Sequence, residues 1–271
     1  MTPSDLAAAK SGIVPYWEFA MLTDRGRVRE NNEDAVAVDP VLGLAILADG
    51  MGGYNGGEVA SGMAIALLMA SFGRWLAHAG LSTQARAVRR ALQIGTDEAN
   101  RAILEAGSIN KQLMGMGTTI VLAVFGPHRI VVGHNGDSRC YRLRDRQLEQ
   151  LTRDHSLLQD QLDAGLITPA EAVSSPHRNL VTRALGIELR VVLETHDYPV
   201  QPGDLYMLCS DGLSEMVSDT DICTILLQNN CLSEKATLLV AIANENGGRD
   251  NISVVLASAA KDGATFAANQ T

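Results

Sequence analysis

Four aspartates in this chain stand where an apolar, strand-like run meets a glycine turn. Residues 45–48 run into Asp49-Gly50, and residues 206–210 run into Asp211-Gly212. Residues 130–132 lead through Gly133-His-Asn-Gly136 to Asp137, and Gly247-Gly-Arg-Asp250-Asn251 comes just before the run 252–257. Asp and Gly make turns as a matter of course, so any one of these reads as a turn alone. Several carboxylates gathered at one end of a sheet would repel one another and raise each other's pKa. A divalent cation removes that conflict, and an oxygen-rich, histidine-poor set suits Mg²⁺ or Mn²⁺. Glycine after Asp49 leaves its carbonyl accessible as a further hard ligand.

The glycine-rich stretch 50–57 precedes a helical pattern and so offers a rival chemistry, a nucleotide phosphate cradle. It lacks the Lys-Ser/Thr ending of a P-loop, and its flanks do not form a Rossmann unit. Its glycines are read as letting the backbone pass close to the metals. Gly117-Thr-Thr119 reads as structural, small residues where a helix meets a sheet.

Short runs rich in β-branched or apolar residues predict strands at 17–23, 35–39, 43–48, 118–125, 129–134, 191–197, 204–209 and 252–257. Residues 125–129 and 144–147 read as hairpin connections. Long helices are expected at 58–78, apolar on nearly every side and so buried between layers, and at 83–106, which is amphipathic. Shorter ones are expected at 157–164, 220–227 and 233–244. Strands in hairpin-like groups and helices in pairs predict an α+β class with antiparallel sheets covered by helices. We read residues 17–258 as a single domain, with flexible ends at 1–16 and 259–271.

With 46% hydrophobic residues the 271-residue chain can bury a substantial core, and the 4% aromatics leave most of it to aliphatic side chains. A net charge of −9 argues against nucleic acid or an anionic membrane as partner. Cys140, Cys209, Cys223 and Cys231 form no C-x-x-C pair and read as buried free thiols of a reducing cytosol. No signal-peptide pattern opens the chain. The longest uninterrupted apolar stretches, 64–70 and 238–243, fall far short of a membrane span, so a cytoplasmic protein is expected.

Six motifs in order carry a resemblance over residues 18–257. They are Thr23-Asp24-Arg-Gly-Arg-Val-Arg29-Glu-Asn-Asn-Glu33-Asp34, Ala48-Asp49-Gly50-Met-Gly-Gly53, Gly115-Met-Gly117-Thr-Thr119, Gly133-His-Asn-Gly-Asp137-Ser-Arg139, Cys209-Ser-Asp211-Gly212 and Gly247-Gly-Arg-Asp250-Asn251. The chain resembles the metal-dependent protein phosphatases, type 2C or PPM, in their bacterial form.

That resemblance implies a four-layer αββα sandwich, two antiparallel sheets flanked by helices. It implies a serine/threonine phosphatase using two Mn²⁺ or Mg²⁺ ions, in which a metal-bridging water or hydroxide attacks phosphorus directly. Carried over position by position, Asp49 bridges both metals and the Gly50 carbonyl binds the second, while Asp211 and Asp250 hold the first. Asp137, with Asp211, matches a third and conditional metal site. Glu33 and Asp34 match acids that orient metal-bound waters. Arg29 matches the arginine that grips the phosphate, with Arg25 and Arg27 as rivals nearby. Phosphorylated proteins are the implied substrates and a bacterial Ser/Thr kinase the implied opponent, with the phosphatase itself a monomer.

The sequence departs from the family pattern in two places. Met51 stands where many members have a histidine that is a candidate general acid, which leaves the proton donor unassigned. His155 is a weaker candidate and reads as a surface histidine. Glu215 replaces an Asp near the metals with a longer side chain. Residues 152–186 match the family's flap, whose polar, Pro-interrupted second half reads as a mobile loop shaping substrate choice. A phosphoprotein-binding pseudophosphatase would have lost a core carboxylate, and none is lost here. A phosphatase acting on an anti-sigma-factor antagonist usually carries a sensor domain, for which this chain has no room.

Overall fold

The computed structural model describes residues 17–53, 56–79, 84–172, 175 and 180–259. The expectations for 1–16, for the tail beyond 259 and for the second half of the flap at 174 and 176–179 lie outside the described residues.

Two antiparallel sheets stack face to face. The first, in order β1-β11-β10-β7-β8, is made of Trp17–Asp24, Ile252–Ala259, Leu205–Cys209, Arg139–Arg144 and Gln147–Gln150. The second, in order β2-β3-β5-β6-β9, is made of Asp34–Asp39, Leu44–Met51, Ile120–Phe125, Arg129–Asn135 and Glu194–Pro199, with the short β4, Gly117–Thr118, paired to the end of β3. Helices α1 (Gly56–Ala79) and α2 (Ala85–Ile109) cover the second sheet, and α6 (Asp219–Leu226) and α7 (Leu232–Glu245) cover the first. Short helices α3 (Leu157–Asp163) and α4 (Pro169–Ala172) lie in the flap, and α5 (Asp211–Ser214) follows β10.

The central strands β3, β5, β10 and β11 are almost wholly apolar because both their faces are buried, whereas the edge strands β8 and β9 are polar and partly exposed. In β3, Leu44, Ile46 and Ala48 pack under α1 and α2, while Ala45 and Leu47 face the other sheet. In β11, Val254 and Leu256 pack under α6 and α7, while Val255 and Ala257 face inward. The result is the four-layer αββα sandwich that the resemblance implies.

Three expectations are corrected. Helix α1 is not buried on every side. Ala60, Ala64, Leu68, Phe72 and Leu76 form its buried stripe, but Glu58, Gly62, Ala66, Ala70 and Arg74 are exposed at the same four-residue spacing. Alanine and glycine on the outer stripe hide the amphipathicity. They also make residues 56–76 long and apolar enough for a membrane span by composition, although the inner stripe is spent on the core of the sandwich. The predicted strand 191–197 begins only at Glu194, and β7 and β8 flank the expected hairpin turn, where Asp145 and Arg146 have positive φ (51° and 63°). Finally, Cys140 and Cys209 are buried, but Cys223 is half-buried and Cys231 exposed.

Candidate active site

The carboxylates converge because strands from both sheets end at the same edge of the sandwich. Asp34 opens β2 and lies directly across from Asp49 near the end of β3, so both side chains leave the same face. Beyond Asp49 the chain is held by the two threonines at the end of β4. Thr119 N–H and Thr118 Oγ1 each donate to the Asp49 carbonyl at 2.8 Å. Gly50 then passes between two backbones. A Cβ there would lie 2.2 Å from the Gly57 carbonyl oxygen and 2.5 Å from that of Glu33, so no side chain fits. Gly212, after Asp211, is packed as closely against the Asn251 carbonyl, at 2.0 Å from a would-be Cβ.

From the other sheet, β10 delivers Ser210 and Asp211, and β11 is preceded by Asp250 and Asn251. Ser210 ties the sheets together. Its hydroxyl donates to Asp34 Oδ2 at 2.8 Å and accepts the Ser253 N–H at 3.0 Å. Asn251 holds the loop that carries Arg29 and Glu33. Its Oδ1 accepts the Glu33 N–H at 2.8 Å, and its Nδ2 donates to the Arg25 and Asn31 carbonyls. Asp137 follows the β6 turn, behind which Thr119 and Ser138 hydroxyls meet at 2.7 Å.

Arg29, Glu33, Asp49, Gly50, Asp137, Asp211 and Asp250 thus line one cleft of about 200 Å³, together with Met51 and Val181 of the flap. Asp34 sits behind it, buried. Of the three rival arginines only Arg29 lines the cleft, its Nη2 2.7 Å from Asp250 Oδ2. Arg25 instead reaches the Glu30 carbonyl.

The electrostatics are those of an anionic pocket. Burial, then Asp34, Asp211, Asp137 and Asp250, push the Asp49 carboxyl well above the usual range. Burial, then Asp137, Asp250, Glu215 and Asp34, do the same to Asp211. Burial raises Asp34 and Asp137 each to about 6. Burial also raises Glu33, although Arg29 and the Gly57 N–H at the start of α1 oppose it. Asp34 Oδ1 is buried without a hydrogen-bond partner. A set of hard oxygens that repel one another, with an acceptor left over, is chemistry that suits divalent cations and their waters. Glu215 is exposed and does not line the cleft; its N–H donates to the Asp211 carbonyl at 2.8 Å, and its carboxylate acts on Asp211 and Asp137 through charge.

His155 corrects the expectation of a surface histidine. It is 1% exposed, stacked on His134 with ring centroids 4.6 Å apart. Its Nδ1 accepts the Gly136 N–H at 3.1 Å, which leaves the proton on Nε2 to meet Glu194 Oε2 at 3.1 Å. It is absent from the cleft lining. Ligand atoms of His134, His155 and Glu194 lie within 4.8 Å of one another, as in a metal site. However, both histidines are already committed, His134 Nε2 to the Arg153 carbonyl at 2.8 Å, and the Arg183 guanidinium stands 3.2 Å from His155 Nε2. The group therefore reads as a hydrogen-bonded joint between the flap and the turn that carries Asp137.

Sequence reasoning read the two threonines as structural, as they are, but missed the supports Ser210 and Asn251. Each adjoins a motif aspartate, so their positions were visible, but their partners lie across the sheets.

Comparison with known proteins points one way. The family described as Protein phosphatase 2C matches residues 24–252. The serine/threonine phosphatase stp of Listeria monocytogenes serotype 4b (strain F2365) is 41% identical over 240 residues, covering 86% of this chain and 92% of that protein. The crystal structure of the Mycobacterium tuberculosis serine/threonine phosphatase PstP/Ppp superposes with a TM-score of 0.80 at 39% identity, covering 90% and 99% of the two chains. A structure of the PstP catalytic domain in complex with 2 manganese ions gives a TM-score of 0.78 at 38% identity, covering 90% and 98%.

Proposed function

The chain belongs to the protein phosphatase 2C family and is a serine/threonine protein phosphatase; from that premise we propose which residues do the work and for whom. The observation that carries the reading is the meeting of Arg29, Glu33, Asp49, Gly50, Asp137, Asp211 and Asp250 in one cleft.

Asp49, the Gly50 carbonyl, Asp211 and Asp250 would hold two divalent cations, Mn²⁺ or Mg²⁺, with Asp137 available to a third. When bound, such ions supply an activated water and offset the charge that develops on phosphorus. Arg29 orients the substrate phosphate through its planar fork, and its present hold on Asp250 keeps the guanidinium at the cleft. Glu33 and Asp34 would orient water in the cleft by accepting its hydrogen bonds, Asp34 through the Oδ1 that no protein group satisfies. Met51 has no proton to give, and His155 is spent on Glu194, so the leaving alcohol takes its proton from water.

For the biological setting, we propose a monomer in the cytoplasm that opposes a Ser/Thr kinase, as the family resemblance implies. The test is hydrolysis of p-nitrophenyl phosphate and a phosphothreonine peptide with Mn²⁺, with Mg²⁺ and after chelation. Both substrates should turn over with metal and neither without it; turnover that survives full chelation would sink the metal assignment.

A further inference from the structure

Beside the cleft lies a larger hollow of about 530 Å³, and the two share Met51 and Val181. One wall is the return limb of the flap, residues 181–184. The other is the run 186–193 that leads into β9. No strand ladder orders this run. Three amide side chains hold its backbone instead. Asn100 accepts the Gly186 N–H at 2.7 Å and donates to the Glu188 carbonyl at 2.9 Å. Gln93 donates to the Val191 carbonyl and accepts the Leu193 N–H, both at 3.0 Å. Asn135 donates to the Val192 carbonyl at 3.1 Å.

With its backbone tied down, the run turns apolar side chains outward: Ile187 is 52% and Val192 67% exposed, and both line the hollow. Apolar groups shown to water on an anchored backbone mark a surface ready to bind. Two arginines, Arg183 and Arg190, face one acid, Glu188, among the lining residues. Arg183 leans on His155 and Glu194, but Arg190 has no hydrogen-bond or ion-pair partner among the described residues.

We propose that this groove binds the polypeptide flanking the phosphorylated residue, with an apolar side chain against Ile187 and Val192 and an anionic group at Arg190. The anion is a carboxylate or a second phosphate. The proposal rests on the phosphatase reading, since only a chain whose phosphate sits in the cleft is led past Met51 and Val181 into the groove.

The experiment compares four substrates: p-nitrophenyl phosphate, which fills the cleft alone, and three phosphothreonine peptides whose flank carries Asn, Asp or phosphoserine. Wild type should favour the two anionic flanks. Arg190→Glu should lower kcat/KM for those two about fivefold, through KM, as expected for one exposed charge contact reversed. It should leave p-nitrophenyl phosphate and the Asn peptide unchanged. The larger loss, on Asp or on phosphoserine, identifies the anion. Val192→Asp should raise KM for all three peptides and not for p-nitrophenyl phosphate. Equal treatment of the three peptides by wild type, or equal losses on all four substrates in Arg190→Glu, overturns the groove and leaves the phosphatase standing. Failure of wild type with Mn²⁺ to turn over any of the four would overturn the phosphatase reading itself.

Discussion

Asp204 enters strand β10 and Asp211 leaves it, and the two ends of this one strand use the same side chain in opposite ways. Asp204 is 1% exposed. Burial alone would raise its pKa, but Arg144 grips it with Nε and Nη2 at 2.7 and 2.6 Å, and the Gln201 N–H and Tyr206 hydroxyl add to this, so it is lowered. The Asp211 carboxyl is pushed well above the usual range, by burial first and then by Asp137, Asp250, Glu215 and Asp34. Burial pushes both carboxyls up, and their partners then separate an acid that braces the fold from one proposed to hold a cation.

The largest expected effect lies at the metal end. Asp211→Asn should lower kcat on p-nitrophenyl phosphate by about a thousandfold, the scale of losing a group that acts in the transition state. In chelator the same variant should melt at or above the wild-type temperature, since it removes one of several like charges. A variant that kept its activity, or that unfolded, would erase the contrast.

Asp204→Asn should do the reverse. It strips Arg144 of its carboxylate and should cost about 2–3 kcal/mol in denaturant unfolding, less than breaking a fully buried pair, because Arg144 keeps the Pro199 carbonyl and some access to water. Its kcat and KM should match wild type.

The smallest effect is a difference in pH slope. A carboxyl whose folded pKa lies below its ordinary value of 3.8 stabilises the fold above that pH and loses its contribution as the pH falls through the folded value. Wild type should therefore lose melting temperature on acidification below about pH 4 more steeply than Asp204→Asn. Parallel acid limbs would mean that the Arg144 fork does not hold the proton off.

Much of this was legible from the chain. Each strand that carries or leads into a site residue was visible as an apolar run, because those strands are buried on both faces or, in β2, half-buried. The exceptions are instructive. Helix α1 read as buried all round because alanine and glycine occupy its outer stripe. His155 read as a surface group, since nothing local announces a stack on His134 from β6 or a bond to Glu194 from β9. The segment 191–193 read as strand because Val191, Val192 and Leu193 have the composition of one, whereas its carbonyl and N–H groups go to Gln93 and Asn135 instead of a ladder.

By itself the sequence determined that aspartates would end strands at glycine turns, because an apolar run followed by Asp-Gly sets local conformation within a few residues. It also determined the family, through the order of six short motifs. Only the tertiary structure decided which acids face one another, since Asp34 meets Asp49 by strand register and Ser210 reaches Asp34 between the sheets, 176 positions apart. It likewise chose Arg29 over Arg25 and Arg27, and gave Asp204 an arginine while leaving Asp211 among carboxylates. Local propensity acts over a turn or two. A carboxylate's pKa answers to whatever lies within a few ångströms, and in this sandwich those neighbours come from distant stretches of chain.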